Sequence, residues 1–180
     1  MQDSRYPIGP FSYQPAATWD ERRTRRLIWI DEIAAAPARL RASVAGLTSE
    51  QLDTPYRDGV WTVRQVVHHV PESHMNAYIR FKLALTEDRP AIKPYDEAAW
   101  AKLNHVPETP IETSLALLDS LHDRFVRVLR LMTEGDFGRA FVHPELGVVP
   151  LEKNLALYAW HGKHHVAHVT SLRERKGWNR

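Results

Sequence analysis

The 180-residue chain contains no cysteine. That excludes disulfides, iron–sulfur clusters and a thiol nucleophile supplied by the protein itself. It has no apolar run approaching the roughly 18 residues needed to cross a bilayer. Nor does any N-terminal segment join a basic start, an apolar stretch and a small-residue cleavage site. These absences lead to the expectation of a cytoplasmic protein. An excess of one charge is missing too: 24 Lys and Arg stand against 22 Asp and Glu, a formal net charge of +2. So small an excess gives no reason to expect nucleic acid or a membrane as partner. Basic runs do occur at Arg22-Arg23-Thr24-Arg25-Arg26 and Arg173-Glu174-Arg175-Lys176. Each has an acid nearby and reads as a solvated helix face. The remaining composition, 43% hydrophobic and 26% charged, is that of a globular protein large enough for one core. One domain over residues 1–180 is expected, with residues 1–18 as an irregular arm carrying Pro7, Gly9, Pro10 and Pro15.

Histidine is what the chain has in quantity. Seven of its ten histidines fall in two short segments about 90 positions apart. One is His68-His69 with His74. The other is Trp160-His161-Gly162-Lys163-His164-His165-Val166-Ala167-His168. Neutral imidazole is the commonest metal ligand, and no cysteine competes for the role.

Hydrophobic periodicity places both segments on helices. From Trp19 to about Gly46, Leu27, Ile28, Ile30, Ile33, Leu40 and Val44 recur on one side, and Pro37 should kink or split that helix. Asp58-Gly59 signals a turn. Thr62 and Gln65 then form a capping box opening a helix to about Leu85. Residues 86–110 hold four prolines and one short helix around 97–103. A third long helix carries Ile111, Leu115, Leu118, Leu121, Phe125, Val128 and Met132, and is ended by Gly135 and Gly138. Residues 140–150 could form a small hairpin or an irregular loop. The last helix runs from about Leu151 to Lys176 and stops at Gly177, which suits a left-handed cap. Four amphipathic helices with little strand predict an all-α four-helix bundle.

Helical phase sorts the downstream histidines. The apolar stripe of the last helix passes through Leu151, Leu155, Tyr158, Gly162, Val166 and Val169. His165 lies within roughly 50° of its centre and His161 at its flank. His168 falls farther round, and His164 farther still, as a surface or ligand-supporting residue. On the upstream helix the stripe Val63, Val66, Val67, Val70, His74, Phe81, Leu85 nominates His74. His69 sits roughly 120° off it and His68 points away, but a kink at Pro71 would reset the phase. Periodicity leaves the upstream ligand open. A lone histidine on an apolar face is ordinarily a hydrogen-bonded core residue. His-x-x-x-His spacing is also a weak signal by itself, since Gly162 stands where the zinc-protease motif has its glutamate.

Several stretches carry a resemblance. These are the segment from Leu52 to His69, including Asp58-Gly59-Val60-Trp61-Thr62-Val63-Arg64-Gln65-Val66-Val67-His68-His69, and Ser73-His74-Met75-Asn76-Ala77-Tyr78-Ile79-Arg80-Phe81-Lys82. With Tyr6-Pro7-Ile8-Gly9, Pro94-Tyr95-Asp96-Glu97 and the Trp160-to-His168 run, they resemble the YfiT family, a metal-dependent hydrolase branch of the DinB superfamily. The match spans essentially the whole chain. It implies a four-helix bundle holding one zinc or nickel ion on His69, His161 and His165, and a cytoplasmic homodimer. Three imidazoles with an open position make a catalytic site, able to activate water and polarise a carbonyl. Superfamily relatives also resemble S-transferases that join a low-molecular-weight thiol such as bacillithiol to electrophiles. A non-catalytic metal-binding stress protein is the third alternative. The partner expected is a small-molecule substrate. His168 and Tyr158 are the leading proton-transfer candidates, with His74 and Glu72 behind them. Arg80 and Asn76 are candidates to bind a carboxylate or hydroxyl.

Overall fold

A computed structural model describes residues 4–178. Among them, eight helices and one hairpin follow in the order α1 (Trp19–Val44), α2 (Ser49–Leu52), α3 (Val63–Thr86), α4 (Glu97–Trp100), α5 (His105–Glu108), α6 (Ile111–Leu131), α7 (Glu134–Gly138), β1 (Ala140–His143), β2 (Gly147–Pro150) and α8 (Leu151–Lys176). The hairpin is antiparallel, pairing Phe141 with Val149 and Val142 with Val148. The first three residues of the expected arm lie outside the described residues; the rest is irregular up to α1.

Local chemistry explains where the helices begin and end. The Thr62 hydroxyl accepts from the Gln65 amide at 3.2 Å, and the Gln65 side chain accepts from the Thr62 amide at 2.9 Å. At the far end of α8, Gly177 takes φ 69, the left-handed conformation that closes a helix cheaply only on glycine. Neither Pro37 nor Pro71 divides its helix. Each does leave the carbonyl four residues earlier, of Ile33 and of Val67, without its usual helical donor.

The packing order is not the chain order. Helix α1 packs against α6 and α8, and α3 packs against the same two. The ring is therefore α1–α6–α3–α8, which sets α1 across a diagonal from α3, and α6 from α8. A simple up-and-down bundle would pair each helix with its successor. Here α3 instead gains α8 as a neighbour.

The core divides into two apolar clusters stacked along the bundle. One gathers around Phe81, Phe125, Ile33 and Leu155, and the other around Leu40, Val66, Leu118 and Val169. Between them every long helix changes character at the same level: Pro37 on α1, His74 on α3, His122 on α6, and His161 and His165 on α8. A polar histidine layer thus separates two dry halves.

Several expectations are corrected. Leu27 and Ile28 are exposed, at 55% and 53%, because the buried stripe of α1 is Arg26, Ile30, Ile33, Pro37, Leu40 and Val44. Arg26 is buried, not solvated; its Nε donates to Glu152 at 2.9 Å and its guanidinium pairs with Glu134. In the C-terminal run, Arg173 donates to the Ser43 and Ala45 carbonyls at 2.9 Å each, closing the end of α1. The stripe of α6 is rotated from Leu121 to His122, which is 2% exposed. Helix α6 stops at Leu131, and Gly135 and Gly138 belong to α7. The short helix expected around 97–103 is α4, which ends at Trp100, and a second one, α5, follows in the same connection.

Candidate metal centre

Because α3 and α8 are neighbours, His69 and the pair His161 and His165 meet. The Nε2 atom of His161 lies 3.4 Å from Nε2 of His69 and 3.2 Å from Nε2 of His165. One ligand atom from each of the three falls within 4.8 Å of the others. A tetrahedral zinc with nitrogens at about 2.0–2.1 Å has ligand edges of about 3.3 Å. Two of the three edges here match that figure. Burial holds His69 down to about 4. The same desolvation, reinforced by neighbouring histidines, holds His161 and His165 well below their usual range. All three are therefore neutral at pH 7, the form a metal requires. Three neutral imidazoles with ring nitrogens this close together form a donor set that fits a divalent cation.

The cluster floors a cavity of about 760 Å³. Its walls come from Phe11 of the arm, Tyr95 and Glu97 of the 86–110 connection, and Phe141 and Leu146 of the hairpin, with Arg80 from α3 and Asn154 from α8. The Trp61 ring covers His69 with ring centres 4.6 Å apart. The Tyr158 hydroxyl lies 3.4 Å from Ser73 Oγ, which is itself 3.5 Å from His161 Nε2. Burial raises the pKa of both Tyr158 and Tyr95, so each phenol keeps its proton. The amide nitrogen of Asn154, on the cavity wall, is buried without a partner.

The other sequence candidates are scattered. Tyr158 and Arg80 line the cavity. His168 does not: its ring stacks on Tyr56 at 4.1 Å and its Nε2 donates to the Arg5 carbonyl at 3.2 Å. His164 is buried, not at the surface, and stacks on Trp160 at 4.2 Å. His68 does not point away from the core; it is 6% exposed and bonded to Ser114 Oγ at 2.7 Å. Asn76 donates to the Glu72 carbonyl, and neither residue reaches the cavity. His74, nominated by phase, lies beneath the cluster with Nε2 3.2 Å from His161 Nδ1. Ser73, Trp61, Tyr95, Asn154 and His122 were not singled out by the sequence. For His122 a signal did exist, since its offsets of four from Leu118 and three from Phe125 put it on the apolar face.

The sequence profile of the DinB superfamily matches residues 32–169. The chain belongs to the DinB superfamily. Within it, this DinB protein groups with YfiT-type members. Relatives from Oceanobacillus iheyensis and from Bacillus cereus strain B4264, both named "Putative metal-dependent hydrolase", are 51% and 52% identical to it. The alignments cover 98% and 99% of this chain and 99% and 100% of theirs. The solved structure of YfiT from Bacillus subtilis superposes with a TM-score of 0.91 at 47% identity, over 98% of this chain and 99% of that one. That protein is described as a probable metal-dependent hydrolase with an unusual four-helix bundle topology. Among the described residues, no helix is long and apolar enough to cross a membrane.

Proposed function

We propose that this DinB protein is a hydrolase of small esters or amides, dependent on one divalent ion held by His69, His161 and His165. The observation that carries this is the convergence of three neutral Nε2 atoms on the floor of a cavity of about 760 Å³. Zinc is the occupant favoured by three nitrogen ligands and an open position, with nickel its rival because imidazole suits both. Such an ion, when bound, brings the pKa of water to about 7 and polarises a carbonyl.

The chain's own groups supply the rest. The Tyr158 hydroxyl, kept protonated by burial, donates to the oxygen on which charge develops, and Ser73 holds it in place. Arg80, on the same wall and electrostatically coupled to Glu97, orients the substrate's far end. Trp61 shields His69 from bulk water.

The test is turnover by zinc-loaded protein against a panel of esters and amides, with and without chelator. Thiol-independent turnover that chelation abolishes is the expected result. If monochlorobimane is consumed only when a low-molecular-weight thiol is added, the protein is a thiol S-transferase and the hydrolase reading fails. One metal per chain without either activity would assign a metal-binding role alone.

A further inference from the structure

His161 is held from beneath as well as from above. Its Nδ1 lies 3.2 Å from His74 Nε2, His74 Nδ1 lies 2.9 Å from His122 Nε2, and His122 Nδ1 lies 2.7 Å from the Ile33 carbonyl oxygen. The row crosses the bundle from α8 through α3 and α6 to α1. His74 and His122 are 0% and 2% exposed, so water does not interrupt it.

The protons in this row are determined from its far end. A carbonyl oxygen only accepts, so the Nδ1 of His122 must donate. In a neutral imidazole that leaves Nε2 of His122 as an acceptor. His74 must then donate from Nδ1 and accept at Nε2. His161 must in turn donate from Nδ1, which bares its Nε2 toward His69 and His165. His74 and His122 lie out of water, where a charged imidazolium is disfavoured. The starting point is itself a product of sequence: Ile33 lies four residues before Pro37, which has no N–H to offer that carbonyl. Gly162 leaves the room. A Cβ built there would meet Ala36 Cβ at 3.1 Å and His74 Cε1 at 3.7 Å.

We propose that His122 and His74 are positioning residues that lock His161 into the tautomer with Nδ1 protonated, anchored on the carbonyl that Pro37 leaves free. The metal ligand is thereby prepared before any metal arrives. This rests on the reading of His161 as a ligand, but the tautomer itself does not.

The experiment has two arms. In metal-free protein at pH 7, two-bond proton–nitrogen correlation spectra of the histidine rings are expected to show Nδ1–H tautomers for His161, His74 and His122. An Nε2–H tautomer at His161 overturns the proposal, whether or not metal binds. In the second arm, zinc affinity is measured by competition with a chelator. His122→Phe keeps an aromatic ring without donor or acceptor and should weaken zinc binding by about 10–100-fold, the usual loss for a partner of a ligating histidine. His122→Gln, whose amide can again donate and accept, should restore most of it. If both variants bind zinc like the parent, the row does not position the ligand. If the parent binds no zinc, the metal reading fails while the tautomer arm still stands.

Discussion

Helix α8 carries two histidine pairs at the same spacing, His161 with His165 and His164 with His168, and they do opposite things. The inner pair lies at the level between the two apolar clusters, and the Nε2 atoms of His161 and His165 gather beside His69. The outer pair meets aromatic rings instead. His164 stacks on Trp160 and approaches Tyr6 at 6.0 Å. His168 stacks on Tyr56 and binds the Arg5 carbonyl, while Trp160 Nε1 donates to the Gly9 carbonyl at 3.1 Å. One pair meets a third histidine across the bundle; the other fastens the N-terminal arm along the helix. Spacing is common to both, so the partners that each face meets decide the chemistry.

The contrast breaks most readily at the metal. His165→Ala should lose far more affinity than the roughly 10–100-fold that a supporting neighbour contributes, and the protein should purify without bound ion. His164→Ala should keep one metal per chain by elemental analysis. Equal metal content in the two variants would erase the distinction.

Acid offers a second test, of intermediate size. All four rings are held below the ordinary value of 6.5 by burial, His164 to about 4 and the inner pair well below that ordinary value. In metal-free protein the unfolded chain therefore binds more protons than the folded one once the pH drops beneath 6.5. Stability should be fully present above that point and fall as pH goes from 6.5 toward 4. Zinc loading should move the acid unfolding midpoint to lower pH, because metal and proton compete for the inner pair. A midpoint indifferent to zinc would contradict the ligand assignment.

The smallest effect concerns the outer pair alone. His168→Leu removes the bond to Arg5 and should cost about 1 kcal/mol of arm docking. Amide exchange should quicken over residues 5–11 while zinc affinity stays within twofold of the parent.

How much of this was legible depended on how each helix is buried. On α6 and α1 the apolar pattern gave the right helices with the phase off by about one residue, since exposed Leu27 and Ile28 and half-buried Leu121 counted as core. On α3 phase could not choose among the histidines. Residues 66–71, 73 and 74 are all buried, under α6, α8 and the short α5. A helix covered on most sides has no single stripe from which to measure an angle. Only the likeness to YfiT proteins singled out His69. His164 and His168 escaped because Tyr6 and Tyr56 sit in irregular segments, whose path leaves no periodic trace. The capping box at Thr62 and the stop at Gly177 were readable because a few adjacent residues determine each.

The diagonal order of the helices also bears on how the molecule is made. His69 and His161 stand 92 residues apart in the chain, and α8, which brings them together, is synthesised after α1, α3 and α6. Closing so long a loop comes before any of its contacts are gained, which places this pairing late in folding. A nascent chain without α8 holds His69, His74 and His122 but neither His161 nor His165. Metal uptake would then report completion of the tertiary structure, and the ion would be captured by finished protein rather than by a folding intermediate.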